Sequence, residues 1–134
     1  VSELTGRPIS AQWTQRPAPF RALYVGLSWT PEALRARIRA RAEAMFPDMV
    51  REVRAHLAAG FTGAEPAFRC LGYLEALACA RGEMPAGEGL ERMVAATNAY
   101  ARRQRTWFKG QTQTTWLEPA GAALRAERLV AESR

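Results

Sequence analysis

One arginine lies on an otherwise apolar stripe of a predicted helix and is the first residue that could do chemistry. At about 100° per residue, the stripe contains Leu34, Ile38 and Met45, and Arg41 lies at its edge. Arg41 is therefore expected to point inward, and Arg37 on the adjacent line could reach the same pocket. An inward guanidinium is unfavourable unless it meets an anion. Three interpretations stay open: a salt bridge to a carboxylate such as Glu43 or Glu75, extension of the side chain along the helix to the surface, or a bidentate clamp on phosphate oxygens.

A run between Glu91 and Glu118 has no acidic residue and combines cations with aromatic rings. Its members are Arg92, Tyr100, Arg102, Arg103, Arg105, Trp107, Phe108, Lys109 and Trp116. Clustered cations bind backbone phosphates and aromatic faces stack on unpaired bases, as in recognition of single-stranded RNA loops. The alternative is a solvated basic helix face with Trp107 and Phe108 in the core. The net charge of +6 favours a polyanionic partner.

A weaker candidate for anion binding is the segment Arg69-Cys70-Leu71-Gly72-Tyr73. An arginine before a glycine at a helix start can bring backbone amides close to a phosphate. Cys70 and Cys79 lack metal-ligand spacing, so we expect two reduced, partly buried thiols. The motifs GxxxxGK(S/T), GxSxG and HExxH do not occur in the sequence. An independent catalytic centre is therefore not expected.

The elements that must position these residues are mostly helical. Apolar runs predict short strands over residues 20–29 and 112–117. Helical periodicity and capping signals predict helices over 31–46, 48–59, 71–81, 88–108 and 122–133, with a break at Pro47 and the longest helix over 88–108. Two strands so far apart need neighbours. We therefore predict an α/β fragment, predominantly α-helical, whose two strands belong to a parallel sheet completed by an N-terminal half that lies upstream.

Length and composition set the outer limits. The 134 residues suffice for one domain, and the 48% hydrophobic and 24% charged content is typical of a globular chain. No stretch reaches the roughly 20 apolar residues of a membrane span, and residues 1–5 are not typical of a signal peptide. The sequence predicts a cytoplasmic protein without a membrane partner.

At these same positions the sequence resembles the C-terminal part of the tRNA dimethylallyltransferase family, also called tRNA isopentenyltransferases. LTGRPIS at residues 4–10 is similar to the family's LTGKPIS. RxRIRARxxxM at residues 35–45 resembles the family's RxxxRxxxM helix. RCLGYLE at 69–75 is similar to RxxGYKE, and TxxYARRQRTWFK at 97–109 to TxxYAKRQxTWFR. Leu74 departs from the pattern, because the family usually has Lys or Arg there.

The resemblance implies a nucleotide-binding-type P-loop fold. It also implies transfer of a dimethylallyl group from dimethylallyl diphosphate to N6 of the adenosine 3′-adjacent to the tRNA anticodon, with Mg²⁺ on the diphosphate. It assigns Arg41 as a diphosphate ligand. Contacts to the tRNA anticodon stem-loop are implied for Arg69, Cys70, Leu71, Gly72, Tyr73 and Leu74, and for Arg102, Arg103, Gln104, Arg105, Thr106, Trp107, Phe108 and Lys109.

In the family, the P-loop, the general-base Asp and a Thr that assists the diphosphate lie in the N-terminal half, which also holds the magnesium. The resemblance therefore implies that residues 1–19 are the tail of an inserted helical region and that 20–134 are part of the catalytic domain. It implies an intact enzyme that is a monomer and an isolated chain that is inactive. The alternative is a stand-alone basic helical RNA-binding or adaptor module without catalysis.

Overall fold

The computed structural model describes residues 22–133. In that range the chain forms β1 (Tyr24–Leu27), α1 (Pro31–Ala58), a short 3₁₀ helix (Pro66–Arg69), α2 (Tyr73–Ala80), α3 (Ala86–Gln111), β2 (Thr114–Leu117) and α4 (Ala122–Glu132). The predicted class, mostly helical with two short strands, is confirmed. None of the described helices has the length and apolar character of a membrane span.

Helix α1 begins at the predicted cap and then continues through the predicted break. The hydroxyl of Thr30 accepts a hydrogen bond from the Ala33 amide at 3.2 Å, and Pro31 occupies the first turn. The break expected at Pro47 is wrong, since α1 is a single helix of 28 residues. Proline removes one backbone donor, but burial of the adjoining Phe46 and Met49 holds both halves against the core.

The long basic helix is also longer than predicted. Helix α3 has 26 residues, so α1 and not α3 is the longest helix of the described range. Helix α2 is shorter than the predicted 71–81 and follows Gly72, whose φ of 88° lies in the left-handed region. Glycine adopts this conformation without the steric penalty of a Cβ atom, and this bend sets the direction in which α2 leaves the 3₁₀ helix.

The two strands pair with each other in parallel, as expected. The register runs from Tyr24 opposite Thr114 to Leu27 opposite Leu117, and the Ser28 amide donates to the Leu117 carbonyl at 2.8 Å just beyond it. Helices α1 to α3 form the crossover between them. The first strand is not buried among the described residues, where Leu27 is 53% exposed, and the burial expected for it requires the further strands that the sequence predicts. Two paired strands leave sheet edges and faces uncovered.

The hydrophobic core lies between α1, α2 and α3, away from the sheet. Its buried members are Ala42, Phe46, Met49, Val50, Val53, Phe68, Ala76, Leu77, Cys79, Met93 and Val94. The core therefore fixes the three helices that carry the predicted site residues. Residues 1–19 lie outside the described range, so the domain boundary at residue 19 stays a prediction.

Candidate functional site

Arg41 lies on the surface and does not point into the core. The buried stripe of α1 runs through Ala42, Phe46 and Val53, which are 2%, 3% and 0% exposed. Arg41 and Met45 are both exposed, and the Arg41 Nε atom donates to the Met45 Sδ atom at 3.2 Å. The inward orientation expected for Arg41 is therefore wrong for this range. Ala42 lies about 100° around the helix from Arg41. The apolar stripe that includes Ala42 is the larger one, and it is the side of α1 that packs against the core.

The three neighbouring arginines of α1 have different partners. Arg37 stacks over the Trp29 ring with its guanidinium carbon 4.3 Å from the centroid. Arg39 grips Glu91 on α3 with two hydrogen bonds of 2.8 and 2.7 Å, which raise the pKa of Arg39 and lower that of Glu91. None of the ion pairs within residues 22–133 includes Arg41.

The salt-bridge interpretation of Arg41 therefore fails in the described part of the chain. Glu43, one of its two expected partners, lies 3.6 Å from Arg39 instead, and Glu75 is in none of the ion pairs of that part. Arg41 is thus an exposed guanidinium whose charge is not neutralised by a neighbouring carboxylate there. Such a group can take an anionic ligand without first breaking an ion pair.

An open cavity of about 330 Å³ lies between the sheet and helices α1 and α3. It is lined by Tyr24, Val25, Gly26, Leu27, Ser28, Trp29, Leu34, Ala101, Gln104, Arg105, Phe108, Thr114 and Trp116. Glycine at position 26 lets the Trp116 ring lie against β1, because a Cβ atom there would lie 2.7 Å from that ring. Arg105 is the cation of the predicted basic run that borders this cavity.

The predicted basic run divides between two faces of α3. Gln104, Arg105 and Phe108 line the cavity beside the sheet. Arg102, Arg103, Thr106 and Trp107 line a shallow depression on another face. Lys109 is exposed. The helix therefore presents basic and aromatic groups to two surfaces, a division that only the rotation of α3 decides.

Trp107 is a surface residue of the second face. It is 56% exposed and meets the Phe108 ring edge to face at 4.9 Å. Arg103 lies over the Tyr100 ring with its guanidinium carbon 5.8 Å from the centroid. The alternative that put Trp107 in the core is therefore wrong, and Phe108 is half-buried. An exposed indole between arginines can stack on an unpaired base.

The segment from Arg69 to Leu74 lies at the start of α2. Gly72 is buried against α1 and α3, where a Cβ atom would lie 2.9 Å from Met49 Cε and 3.0 Å from Met93 Sδ. Arg69, Cys70, Leu71 and Leu74 are exposed. Tyr73 is half-buried and donates its hydroxyl to Glu52 Oε2 at 3.0 Å, which raises the pKa of Tyr73.

The two predicted tRNA segments are offset along one helical framework. Gly72 packs beside Met93 on α3, nine residues before Arg102. At 1.5 Å per residue this places Arg102 about 14 Å further along the helix. The two segments are therefore offset by about that length along α3.

The cysteines and the possible metal ligands form no centre in residues 22–133. Cys70 and Cys79 are both free thiols. Cys79 is buried, which raises the pKa of its thiol, whereas Cys70 is exposed and thus departs from the expected partial burial. No group of three or more His, Cys, Asp and Glu side chains in this range could hold a metal ion.

Sequence reasoning missed two contacts that organise α1. The pair of Arg39 and Glu91 joins residues 52 positions apart, so no local spacing indicates it. Trp29 lies before the Thr30 cap and outside the helix that carries Arg37, so helical spacing does not indicate their stacking. Arg39 pairs with both Glu43 and Glu91, and Arg41 is in none of the ion pairs of the described range.

Known proteins match this chain over nearly its whole length. A family model described as IPP transferase matches residues 1–111. The tRNA dimethylallyltransferase of Salinispora arenicola is 36% identical over 130 residues, which are 96% of this chain and 38% of that protein. The tRNA dimethylallyltransferase of Elusimicrobium minutum is 37% identical over 134 residues, which cover 98% and 43% of the two proteins.

A solved structure has the same fold. The crystal structure of the tRNA delta(2)-isopentenylpyrophosphate transferase from Staphylococcus epidermidis matches with a TM-score of 0.76 at 24% identity, over 99% of this chain and 46% of that one. This likeness concerns the fold. The chain spans less than half the length of these relatives.

Proposed function

Because the chain belongs to the IPP transferase family, we propose that it forms part of an enzyme that prenylates tRNA. The reaction would transfer a dimethylallyl group from dimethylallyl diphosphate to N6 of the adenosine 3′-adjacent to the anticodon. The proposal rests on one observation above all. Trp107 is 56% exposed beside Arg102 and Arg103, in a run without acidic residues, as expected for a surface that binds an RNA loop.

We propose tRNA contacts at both predicted segments. On α3 the arginines would bind phosphates while Trp107 offers an indole face to an unpaired base. At the start of α2, exposed Arg69 supplies charge and Gly72 fixes the turn. Leu74 is exposed but uncharged, so it would contribute apolar contact where a basic residue would bind phosphate. The distance of about 14 Å along α3 suits a stem-loop better than a single nucleotide.

We propose that Arg41 binds the diphosphate. Negative charge develops on the leaving diphosphate as its C–O bond breaks, and a guanidinium already in position stabilises that charge. The exposure of Arg41 and its lack of a carboxylate partner within residues 22–133 support this role. Magnesium would be held through the diphosphate and by residues other than those described.

Kinetics of the full-length protein test the role of Arg41. Arg41→Ala should lower kcat/KM for dimethylallyl diphosphate by on the order of a hundredfold, as loss of a charge-stabilising donor typically does. Arg41→Lys should restore only part, since an ammonium lacks the bidentate fork. The matched control is Arg51→Ala, an exposed arginine of the same helix that pairs with Asp48 at 2.6 Å. A variant at Arg41 with normal kinetics would exclude the diphosphate role.

Salt dependence of tRNA affinity tests the α3 surface. Alanine at Arg102, Arg103 and Arg105 should flatten the plot of log affinity against log salt by roughly 0.7 to 0.9 for each lost phosphate contact. A control removes the same charge from other surfaces, at Arg51, Arg54 and Arg125. Equal slopes for the parent and the α3 variant would show that these arginines are merely solvated.

The stand-alone RNA-binding module is not favoured, because the matches cover nearly the whole chain.

A further inference from the structure

A second cavity, of about 290 Å³, lies between the last turns of α1 and the start of α2. Four rings contribute to its walls, those of His56, Phe61, Phe68 and Tyr73. The His56 ring meets Phe61 at 5.5 Å and 87°, and Phe68 at 6.3 Å and 90°. These edge-to-face contacts are the favourable geometry for aromatic pairs. Three of the four rings in the cavity wall are therefore in contact with one another.

The charge around this cavity is opposite to that of the chain. Its acidic lining residues are Glu52 and Glu65, and no described arginine or lysine lines it, although the chain has 19 Lys and Arg against 13 Asp and Glu. Arg81 donates to the Thr62 carbonyl of the adjoining loop at 2.7 Å but does not line the cavity. A local negative site on a basic protein selects against the anions that its other surfaces attract.

Both carboxylates are held in place by hydrogen bonds. Glu52 Oε2 accepts from the Tyr73 hydroxyl at 3.0 Å, and Glu52 Oε1 lies 3.6 Å from His56 Nε2. Glu65 Oε1 accepts from the amide and the hydroxyl of Thr62, each at 2.9 Å. The bonds to Glu65 lower the pKa of its carboxyl. Two positioned carboxylates beside aromatic walls are thus present before any ligand arrives.

We propose that this cavity binds an organic cation, namely an alkylammonium or guanidinium group. Aromatic faces attract such cations within about 6 Å, the alkyl part packs on the rings, and Glu52 pairs with the charge. An uncharged apolar ligand would instead desolvate the carboxylate without replacing its water contacts. The volume is near the lower limit of small-molecule pockets, about 300 Å³, and fits a side-chain-sized group.

Calorimetric titration of the full-length protein tests the proposal with two probes. Spermidine represents a free polyamine, and argininamide represents an arginine side chain. At least one should bind with saturation, and the stronger of the two identifies the source. Glu52→Gln should weaken that binding about tenfold. Phe61→Leu should weaken it about threefold, a typical value for an exposed cation–π contact, and because Phe61 is 50% exposed the fold should tolerate the change.

The matched control is Glu127→Gln, which removes the same charge from exposed α4 and should leave the binding unchanged. Saturable binding that both cavity variants weaken and the control does not would establish the site. Absence of saturation with both probes at millimolar concentration would overturn the proposal. Equal weakening by Glu127→Gln would also overturn it, since attraction to the general surface would then explain the binding. The readout is cation affinity, so it does not depend on the prenyltransfer proposed above.

Discussion

Replacement of Gly72 by alanine combines two physical costs that the structure allows to be separated. Gly72 has φ of 88°, and a Cβ atom there would lie 2.9 Å from Met49 Cε and 3.0 Å from Met93 Sδ. The left-handed backbone costs an L-residue about 1–2 kcal/mol. Crowding in a packed core costs about 1–3 kcal/mol, and the low end applies because the two methionine ends are flexible. We expect Gly72→Ala to lower the free energy of unfolding by about 2–3 kcal/mol.

Two other glycines supply the separate terms. Gly82 has φ of 77°, and no atom lies within 4 Å of the position that a Cβ atom would take there. Gly82→Ala should therefore report backbone strain alone, about 1 kcal/mol. Gly89 lies in α3 with ordinary φ, but its Cβ would be 2.7 Å from the Phe46 ring. Gly89→Ala should therefore report crowding alone, about 2 kcal/mol after the gain in helix propensity.

A fourth variant shows that the assay detects a gain. Gly87 lies in the first turn of α3, and no atom lies within 4 Å of the position that a Cβ atom would take there. Gly87→Ala should therefore raise the free energy of unfolding by about 0.5 kcal/mol. Urea unfolding followed by tryptophan fluorescence gives the four values, provided that the m-values agree. If Gly72→Ala costs no more than Gly82→Ala, then packing of Gly72 against the two methionines contributes nothing and the account of this turn is wrong.

Three further outcomes are expected. The hydrogen bonds from Arg39 lower the pKa of Glu91, so ionised Glu91 should stabilise the fold above its ordinary pKa. That contribution should be lost as the pH falls through the lower folded-state pKa. The difference in free energy of unfolding between the parent and Glu91→Gln, measured in urea, should therefore shrink between pH 6 and pH 3, and a constant difference would contradict this. Trp107→Ala should weaken tRNA binding several-fold, with a change in melting temperature of less than about 2 °C, because the ring is 56% exposed; a large fall in melting temperature would show a structural role instead. The 134-residue chain incubated with tRNA, magnesium and dimethylallyl diphosphate should form no prenylated adenosine, and detectable product would refute the claim that the chemistry needs groups that this sequence lacks.

Local signals predicted most of the elements. The apolar strand patterns and the caps around Thr30 were sufficient to place β1, β2 and the start of α1, because each depends on residues within one or two turns. The signal at Pro47 failed because burial on both sides outweighs one missing backbone hydrogen bond. Helix ends also shifted by a few residues, since packing and not propensity stabilises the last turn.

The candidate site divides in the same way. Sequence by itself determined the residue types: a basic and aromatic run on one helix, an RCLGY turn, and an arginine pair on another helix, together with the family that these patterns resemble. Only the tertiary structure decided which face of each helix is buried. Several apolar stripes on α1 compete, and the one through Ala42 and Phe46 packs because α2 and α3 supply its partners, so Arg41 faces outward. The pairing of Arg39 with Glu91 and the division of α3 into two faces follow from that packing, because contacts between residues far apart in the chain exist only once the core has formed.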